Sequence, residues 1–413
     1  MNFLRQFCLT LAVCLGLALV LIVPYSCLWL YQSGDVGVER AVEAQVQARA
    51  NNEMVLFGSG VSQDFVDYKL QLYAATKPRI ATVGSSRVMQ FRGSYFSQPF
   101  CNVGGVAGNL AVLRSTIEAM LRIHKPEAVI LGLDFWWFLP QWEADPFKEV
   151  PPTSGSYVYG LEALRKPWTW LFDGKISPGE LFSPMTGALA REGRFGIMAQ
   201  QTGDGFGPDG AWYYTADITG QKAPFDYQFR DTMTQVKHGI KAFYHARPDQ
   251  QGPNEAHLDA FAEIYCRLQA RGIKVFVFIA PLSQRVYDAM LARKDAYPHL
   301  FNLREALLAR GIDALDCSNP RAIASSDCEF VDGFHGGEVS YARILRALGD
   351  YKPALLPYLD RERLNVAIRD WKEHALVRDT RLTSLWEQDF MHFDCPKRVP
   401  PEAANAGNRK TGN

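Results

Sequence analysis

The chain has 413 residues, 47% of them apolar, so it is long enough to build one large domain or two ordinary ones around a substantial core. Its 44 basic and 44 acidic side chains balance, which argues against nucleic acid or a polybasic lipid-binding surface as the main mode of interaction. Nothing in the chain repeats at a fixed period.

The N-terminal segment is the first predicted element. Residues Phe7 to Tyr31 form an almost unbroken apolar run that is long enough to cross a bilayer as a helix. Arg5 precedes the run and acidic residues follow it, so the positive-inside tendency leaves the body of the protein outside the cytoplasm. We therefore predict a transmembrane anchor at residues 1–31. A cleaved signal peptide is the alternative, which the length of the run and the lack of a small-x-small cleavage site disfavour.

An α/β pattern follows the anchor. A polar segment at Val38–Ala50 predicts a helical stalk within residues 32–76. Buried strands are predicted at Arg79–Val83, Phe100–Val103 and Ala128–Leu133, with an amphipathic helix before the third. Strands and helices that alternate with short joints indicate a parallel sheet covered by helices, and we assign residues 77–358 to this domain.

The pattern is interrupted at residues 140–249, which are rich in Trp, Tyr, Phe, Gly and Pro. We interpret this stretch as a partly helical insertion that forms a cap or a substrate wall. The α/β pattern then returns with a helix at Glu255–Ala270 and strands at Lys274–Ile279 and Ile312–Leu315. Residues 359–413 are predicted to be a charged helical extension whose tail is disordered.

The cysteines leave two interpretations open. Cys317 and Cys328 flank a short polar loop, so they could be bridged in an oxidising compartment. The alternative is that all the cysteines are free and mostly buried.

Three polar residues stand where predicted strands end. Ser86 lies on the turn after the first strand of the domain, and Asp332 and His335 lie on a loop after the last one. Because the carboxyl ends of parallel strands share one edge of a sheet, all three side chains should project there. A serine nucleophile needs a base, a carboxylate that orients the base, and amides that meet the oxyanion, and these residues could supply that chemistry.

Three motifs between Arg79 and Leu348 resemble those of the SGNH/GDSL hydrolase superfamily. They are Gly84-Ser85-Ser86, the run Asn102 to Gly108 with its glycines, and Asp332-Gly-Phe-His335. The resemblance implies a flavodoxin-like three-layer parallel sheet, with Ser86 as nucleophile, His335 as base and Asp332 as its partner. It also implies that the backbone N–H groups of Ser86 and Gly108 form the oxyanion hole.

One motif departs from the family pattern. The family usually places an Asn after the third strand as an oxyanion donor, whereas this chain has Asp134 there, and an ionised Asp cannot donate a hydrogen bond. Asn109, next to Gly108, could substitute as the donor. The first and third strands are neighbours in this fold, so Arg87 and Asp134 could form an ion pair that supports the site. A solvated Arg87 at a helix start is the alternative.

Two aromatic residues are further candidates for the site. Trp136 and Trp137 directly follow a strand at the catalytic edge, so they are candidates for substrate binding, although aromatic runs are more often part of a core. The histidines show no metal-ligand spacing, so we expect no metal and no cofactor.

The resemblance is closest to a membrane-anchored branch of the superfamily that includes alginate acetylation proteins and teichoic acid D-alanyl transfer proteins. It implies an O-acyltransferase that acts on a polysaccharide at the outer face of the bacterial inner membrane, beside a membrane-bound O-acyltransferase. Two alternatives stay open. One is an esterase that hydrolyses acyl esters of carbohydrate or lipid, and the other is a non-catalytic envelope assembly protein that keeps the fold.

Overall fold

The computed structural model describes residues 2–61, 65–150, 161–182, 193–216, 218–220 and 244–398. In chain order its strands are β1 (Leu56–Phe57), β2 (Ile80–Gly84), β3 (Phe100–Gly104), β4 (Ala128–Leu133), β5 (Arg194–Phe195), β6 (Gly205–Phe206), β7 (Trp212–Tyr213), β8 (Lys274–Ile279) and β9 (Leu315–Asp316). Its α-helices are α1 (Asn2–Ser33), α2 (Val38–Ala50), α3 (Val66–Thr76), α4 (Leu110–Ile123), α5 (Leu161–Phe172), α6 (Pro178–Leu181), α7 (Ile197–Thr202), α8 (Glu255–Ala270), α9 (Gln284–Leu291), α10 (Pro298–Phe301), α11 (Leu303–Leu308), α12 (Glu338–Tyr351) and α13 (Arg361–Asp370).

The main sheet has five strands in the order β3-β2-β4-β8-β9, and every neighbouring pair is parallel. This confirms the predicted α/β class with a parallel sheet. The last strand begins later than its sequence indicated. The N–H group of Ile312 donates to the carbonyl of Leu307 and closes the end of α11, so Ile312 is buried in a turn and β9 begins only at Leu315.

Helices cover both faces of this sheet. Ala81, Val83 and Leu131 point to the face that packs against α3, α4 and α8. Ile80 and Ile130 point to the opposite face, against α12 and α13. Because both faces are buried, the strands are continuous apolar runs rather than alternating ones. The arrangement is compatible with a three-layer α/β fold.

A second, smaller sheet has the order β5-β1-β6-β7 and was not predicted. Its two-residue strands are too short for a period to be read from the sequence. It joins the main sheet through Lys69 of α3, whose ammonium group donates to the carbonyls of Asn102 and Gly210. Three of its strands come from the predicted insertion, of which residues 151–160, 183–192, 217 and 221–243 lie outside the described part of the chain.

The predicted stalk is wrong, although its helix is present as α2. The side chains of Ala41 and Val42 are buried in the same core as the main sheet. The amide of Gln45 donates to the carbonyls of Val55 and Phe206, and its oxygen accepts from the Tyr68 hydroxyl. These hydrogen bonds satisfy a buried polar group, so α2 is part of the folded domain and does not act as a spacer.

The predicted anchor coincides with α1. The C-terminal end of this helix packs on the insertion, where Trp29 lies 5.8 Å from Trp170 between ring centroids and the Tyr25 hydroxyl donates to the Leu181 carbonyl. Within the described part of the chain, no helix combines the length and the apolar character that a membrane span requires. The transmembrane part of the prediction is therefore unsupported.

Within the described part of the C-terminal extension, only α13 is helical. Residues 371–398, all of them described, contain no α-helix or strand and run back over the domain.

A disulfide joins Cys328 to Cys395, so the suggested bridge between Cys317 and Cys328 is wrong, and Cys317 is a buried free thiol. The predicted disordered tail lies outside the described residues from position 399 onward.

Candidate active site

Ser86 lies on a tight turn at the carboxyl edge of the main sheet. The strand β2 ends at Gly84, and a 3-10 turn begins at Ser86. A Cβ atom on Gly84 would lie only 2.9 Å from the Gly132 carbonyl oxygen, so the chain can approach β4 closely only with glycine here. The Ser85 hydroxyl accepts from the N–H group of Arg87 and caps the turn. The side chain of Ser86 is exposed at the turn.

The structure brings Ser86, His335 and Asp332 together. The Ser86 hydroxyl oxygen lies 2.8 Å from His335 Nε2, and His335 Nδ1 lies 2.7 Å from Asp332 Oδ2. The other carboxylate oxygen of Asp332 accepts the backbone N–H groups of Phe334 and His335 at 2.7 and 2.8 Å. The carboxylate is thereby fixed, and it selects the tautomer that carries its proton on Nδ1 and leaves Nε2 free to act as a base.

The electrostatics of this pair favour proton acceptance by His335. Burial lowers the pKa of His335, but the charge and the hydrogen bond of the Asp332 carboxylate, together with the charge of Asp134, raise it, so the net pKa lies above the usual value for histidine. Burial in turn raises the pKa of Asp332, while His335 and the two backbone N–H groups lower it to a net value below the usual carboxyl range. The carboxylate therefore stays ionised and can stabilise a protonated imidazole.

Two backbone N–H groups are available for an oxyanion. Within the described residues, neither Ser86 N–H nor Gly108 N–H donates to a protein acceptor, and Gly108 is exposed. The loop that carries Gly108 is held against the turn that carries Ser86, because Gly105 N–H donates to the Ser85 carbonyl and Ala107 N–H to the Gly84 carbonyl. Asn109 is the N-cap of α4, and its side-chain oxygen accepts from Val112 N–H at 2.9 Å. Only the amide nitrogen of Asn109 remains for the predicted donor role.

The predicted contact between Arg87 and Asp134 is present. The Arg87 Nη1 atom lies 3.0 Å from Asp134 Oδ1, and both side chains are only 1% exposed. Arg87 Nε donates to the Phe334 carbonyl at 3.0 Å, and Nη2 donates to the Pro281 carbonyl. Burial raises the pKa of Asp134, and the charge of Arg87 opposes that shift. Asp134 therefore serves as the counterion of Arg87 and not as an oxyanion donor.

This pair lies at the topological switch point of the sheet. The chain passes from β2 outward to β3, and then back across to β4 on the other side. Such a reversal opens a crevice at the carboxyl ends of the two strands, which is where α/β proteins bind ligands. Ser86 and Asp134 follow β2 and β4 closely, so the candidate catalytic residues lie at this switch point.

An aromatic wall lies beside the crevice and consists of Trp136, Trp142, Tyr244 and Phe334. Trp136 stacks on Tyr244 at a centroid distance of 4.5 Å and meets Phe334 at 5.8 Å. Trp136 is only 8% exposed, whereas Trp142 is 43% exposed. Trp142 is therefore the most exposed of the four residues, since Tyr244 and Phe334 are partly buried.

The prediction for Trp137 is wrong. Trp136 and Trp137 are successive residues of a 3-10 turn, in which neighbouring side chains diverge by about 120°. Trp136 consequently lies beside Arg87, 5.2 Å from the guanidinium carbon to the ring centroid, and Trp137 is completely buried in the core. Sequence reasoning missed Trp142, Tyr244 and Phe334. Phe334 had a usable signal, because it lies between Asp332 and His335 in the chain.

No protein-family model matches the chain, and no curated protein matches it. The resemblance to a family therefore depends on the motifs and on the geometry given above. Among the described residues, no group of three or more His, Cys, Asp and Glu side chains could hold a metal ion.

We predict that substitution of Asp332 by Asn lowers the pKa of His335, because it removes the negative charge that raises it. In wild-type protein, His335 should titrate above 6.5, and activity should fall as the pH drops through that pKa, since the base must be neutral. An NMR titration of the histidine ring protons measures the pKa of His335 in the wild-type protein and in the variant. His257 is an internal control, because burial lowers its pKa and Asp332 is not among the causes. Equal His335 titrations in the two proteins would contradict the assignment.

We predict that Arg87→Gln lowers the free energy of unfolding by about 3–5 kcal/mol, because it leaves the carboxylate of Asp134 buried without a counterion. Chemical denaturation measures the loss. Arg79→Gln is the matched control, since Arg79 pairs with Glu127 through a contact in which both side chains are about half exposed and screened by solvent. Similar losses in the two variants would show that the buried pair has no special role.

Proposed function

We propose that this protein is a serine-dependent acyl-transfer enzyme of the SGNH type, and that its acceptor is a hydroxyl group of a polysaccharide. The observation that carries the proposal is the unbroken chain of contacts from Ser86 through His335 to Asp332, with heavy-atom distances of 2.8 and 2.7 Å. These distances lie within the range in which a base can take a proton from a hydroxyl group.

The proposed reaction has two halves. In the first, Ser86 Oγ attacks the carbonyl carbon of the acyl donor while its proton passes to His335 Nε2, and the oxyanion meets the N–H groups of Ser86 and Gly108. The leaving group then departs with the proton from His335, and an acyl ester remains on Ser86. In the second half, a hydroxyl group of the acceptor gives its proton to His335 and attacks the ester. Ser86 is regenerated when His335 returns the proton to it.

The strand order supports the assignment to the SGNH type. Numbered along the chain, the five parallel strands stand in the order second, first, third, fourth and fifth, which is the flavodoxin-like order. The three motifs of the resemblance lie after the first, second and last of these strands. Their positions in space therefore agree with those that the resemblance implies, although strand order by itself argues fold and not function.

Two features favour transfer over hydrolysis. Asp134 is committed to Arg87, so a side-chain donor that efficient esterases of this type would use is absent from that position. Loss of one oxyanion donor can cost on the order of a hundredfold in rate, which is less harmful to an enzyme supplied with an activated donor. The exposed ring of Trp142 also offers a surface on which a sugar could stack. An esterase is the second candidate, because Ser86 is exposed and water can reach it.

We also propose an extracytoplasmic location at a membrane. The disulfide between Cys328 and Cys395 supports an oxidising compartment. Large apolar side chains along α1 are highly exposed, among them Phe3 and Leu21, and such surfaces are typical of contacts with lipid or with another protein. A membrane-bound O-acyltransferase in the same bilayer would be a suitable source of the acyl group.

We predict that incubation of the protein with a small acyl ester, such as p-nitrophenyl acetate, adds the mass of one acyl group to Ser86. Intact-mass spectrometry with peptide mapping measures the adduct. Ser86→Ala should abolish both the adduct and the release of p-nitrophenol, whereas Ser94→Ala, which alters an exposed serine elsewhere, should retain both. Adduct formation that persists in Ser86→Ala would contradict the proposed mechanism. Absence of turnover by the wild-type protein would favour a non-catalytic assembly protein.

The acceptor decides between the two enzymatic candidates. With an acetyl ester as donor, a transferase should acetylate an added oligosaccharide faster than it releases acetate to water. Release of acetate that is indifferent to the oligosaccharide would instead identify an esterase.

A further inference from the structure

Gly108 carries one of the two N–H groups that the proposed oxyanion hole requires, yet the sheet does not fix its orientation. A Cβ atom on Gly108 would meet no other atom within 4 Å, so nothing packs against the residue on that side. The last anchor before it is Ala107, whose N–H donates to the Gly84 carbonyl at 3.2 Å. A glycine without packing neighbours can rotate freely about its backbone bonds. An N–H group without a fixed orientation stabilises a transition state only weakly.

The first turn of the insertion reaches back to this loop. Trp142 Nε1 donates to the Gly108 carbonyl at 2.9 Å. The next residue, Glu143, accepts the N–H groups of Leu110 and Ala111 through its two carboxylate oxygens, at 3.1 and 3.2 Å. The chain is therefore held on both sides of Asn109, at the carbonyl of Gly108 and at the first turn of α4.

This turn of the insertion is itself anchored. His257 of α8 lies 2.9 Å from the Glu143 carbonyl through Nε2, and its other ring nitrogen lies 2.8 Å from the Asn254 side chain. The ring of Trp142 meets Tyr244 and Trp136 edge-on, at centroid distances of 5.4 and 6.2 Å. The donor atom of Trp142 is thus fixed from two directions, by the body of the domain and by the aromatic wall.

We propose that Trp142 is a positioning residue that aims the Gly108 N–H group at the developing oxyanion. Its hydrogen bond fixes the peptide that follows Gly108, while the contact of Ala107 with Gly84 fixes the peptide chain before it. The insertion thereby supplies rigidity to an oxyanion hole that has no side-chain donor from the position of Asp134. The inference rests on the proposed function, because it assigns a role within the same reaction.

The substitution Trp142→Phe separates the hydrogen bond from the ring, since phenylalanine keeps an aromatic side chain but has no N–H group. We expect kcat to fall by about tenfold or more with KM unchanged, which is less than the roughly hundredfold cost of losing a donor outright. The matched control is Trp168→Phe, which removes a Trp hydrogen bond, at 2.8 Å, to the hydroxyl group of Ser26 in α1. The control should leave kcat unchanged. A raised KM with an unchanged kcat in Trp142→Phe would mean that the ring only binds substrate, and it would overturn the proposal.

Hydrogen exchange gives a second readout that does not need turnover. The backbone N–H groups of Gly105, Ala107, Leu110 and Ala111 are all bonded, so a peptide that spans them reports on the loop. Trp142→Phe should accelerate exchange in this peptide, and Trp168→Phe should not. Unchanged exchange would overturn the positioning role even if the enzyme is active. Accelerated exchange in a protein that shows no Ser86-dependent turnover would retain the structural role and reject the proposed function instead.

Discussion

A guanidinium group and a carboxylate are buried together beside the turn that carries the exposed Ser86, and the geometry of the site depends on them. Burial of a charge is costly unless the charge is paired and its hydrogen-bonding groups are satisfied. Arg87 meets this requirement by contacting Asp134 after β4, the Pro281 carbonyl after β8 and the Phe334 carbonyl beside His335. The ends of three strands and the loop that carries the base are consequently held in one arrangement.

This constraint accounts for the departure from the motif pattern of the SGNH/GDSL superfamily, which the sequence resembles. The residue after β4 pairs with Arg87, so it cannot also donate to an oxyanion. Among the described residues, the candidate donors are the backbone N–H groups of Ser86 and Gly108 and the Asn109 amide. Backbone donors are effective when they are held rigidly. In this protein the Gly108 loop is held at the end of β2 through Gly105 and Ala107, and from outside the sheet through Trp142 and Glu143 of the insertion. The pairing of Asp134 removes a possible side-chain donor, and the insertion supports a backbone donor. The two features are therefore related.

The central strands and the triad could be predicted from sequence because they depend on local patterns. Ala128–Leu133 and Lys274–Ile279 are apolar runs bounded by turn residues, and the predicted bounds of both strands match those in the fold. Polar residues that follow such strands must meet at one edge of a parallel sheet, so the sequence alone places Ser86, Asp332 and His335 together.

What the sequence did not reveal depends on contacts between distant segments. The polar composition of α2 suggested a stalk, because one of the acceptors that satisfy the buried Gln45 amide is the Phe206 carbonyl, 161 residues away along the chain. The partner of Cys328 lies 67 residues away, and cysteine connectivity cannot be read from spacing alone. Trp136 and Trp137 are chemically alike, and only the geometry of their turn decides which of them lies beside Arg87.

The most direct test of the account is labelling with a fluorophosphonate, a reagent that reacts with serines activated by a neighbouring base, followed by peptide mapping. The account predicts one label for each chain, located on Ser86, with no label on the adjacent Ser85. The labelling rate should fall as the pH drops through the pKa of His335, because a protonated imidazole cannot accept the serine proton. Absence of labelling, or a label on another serine, would contradict the central claim that Ser86 is an activated nucleophile.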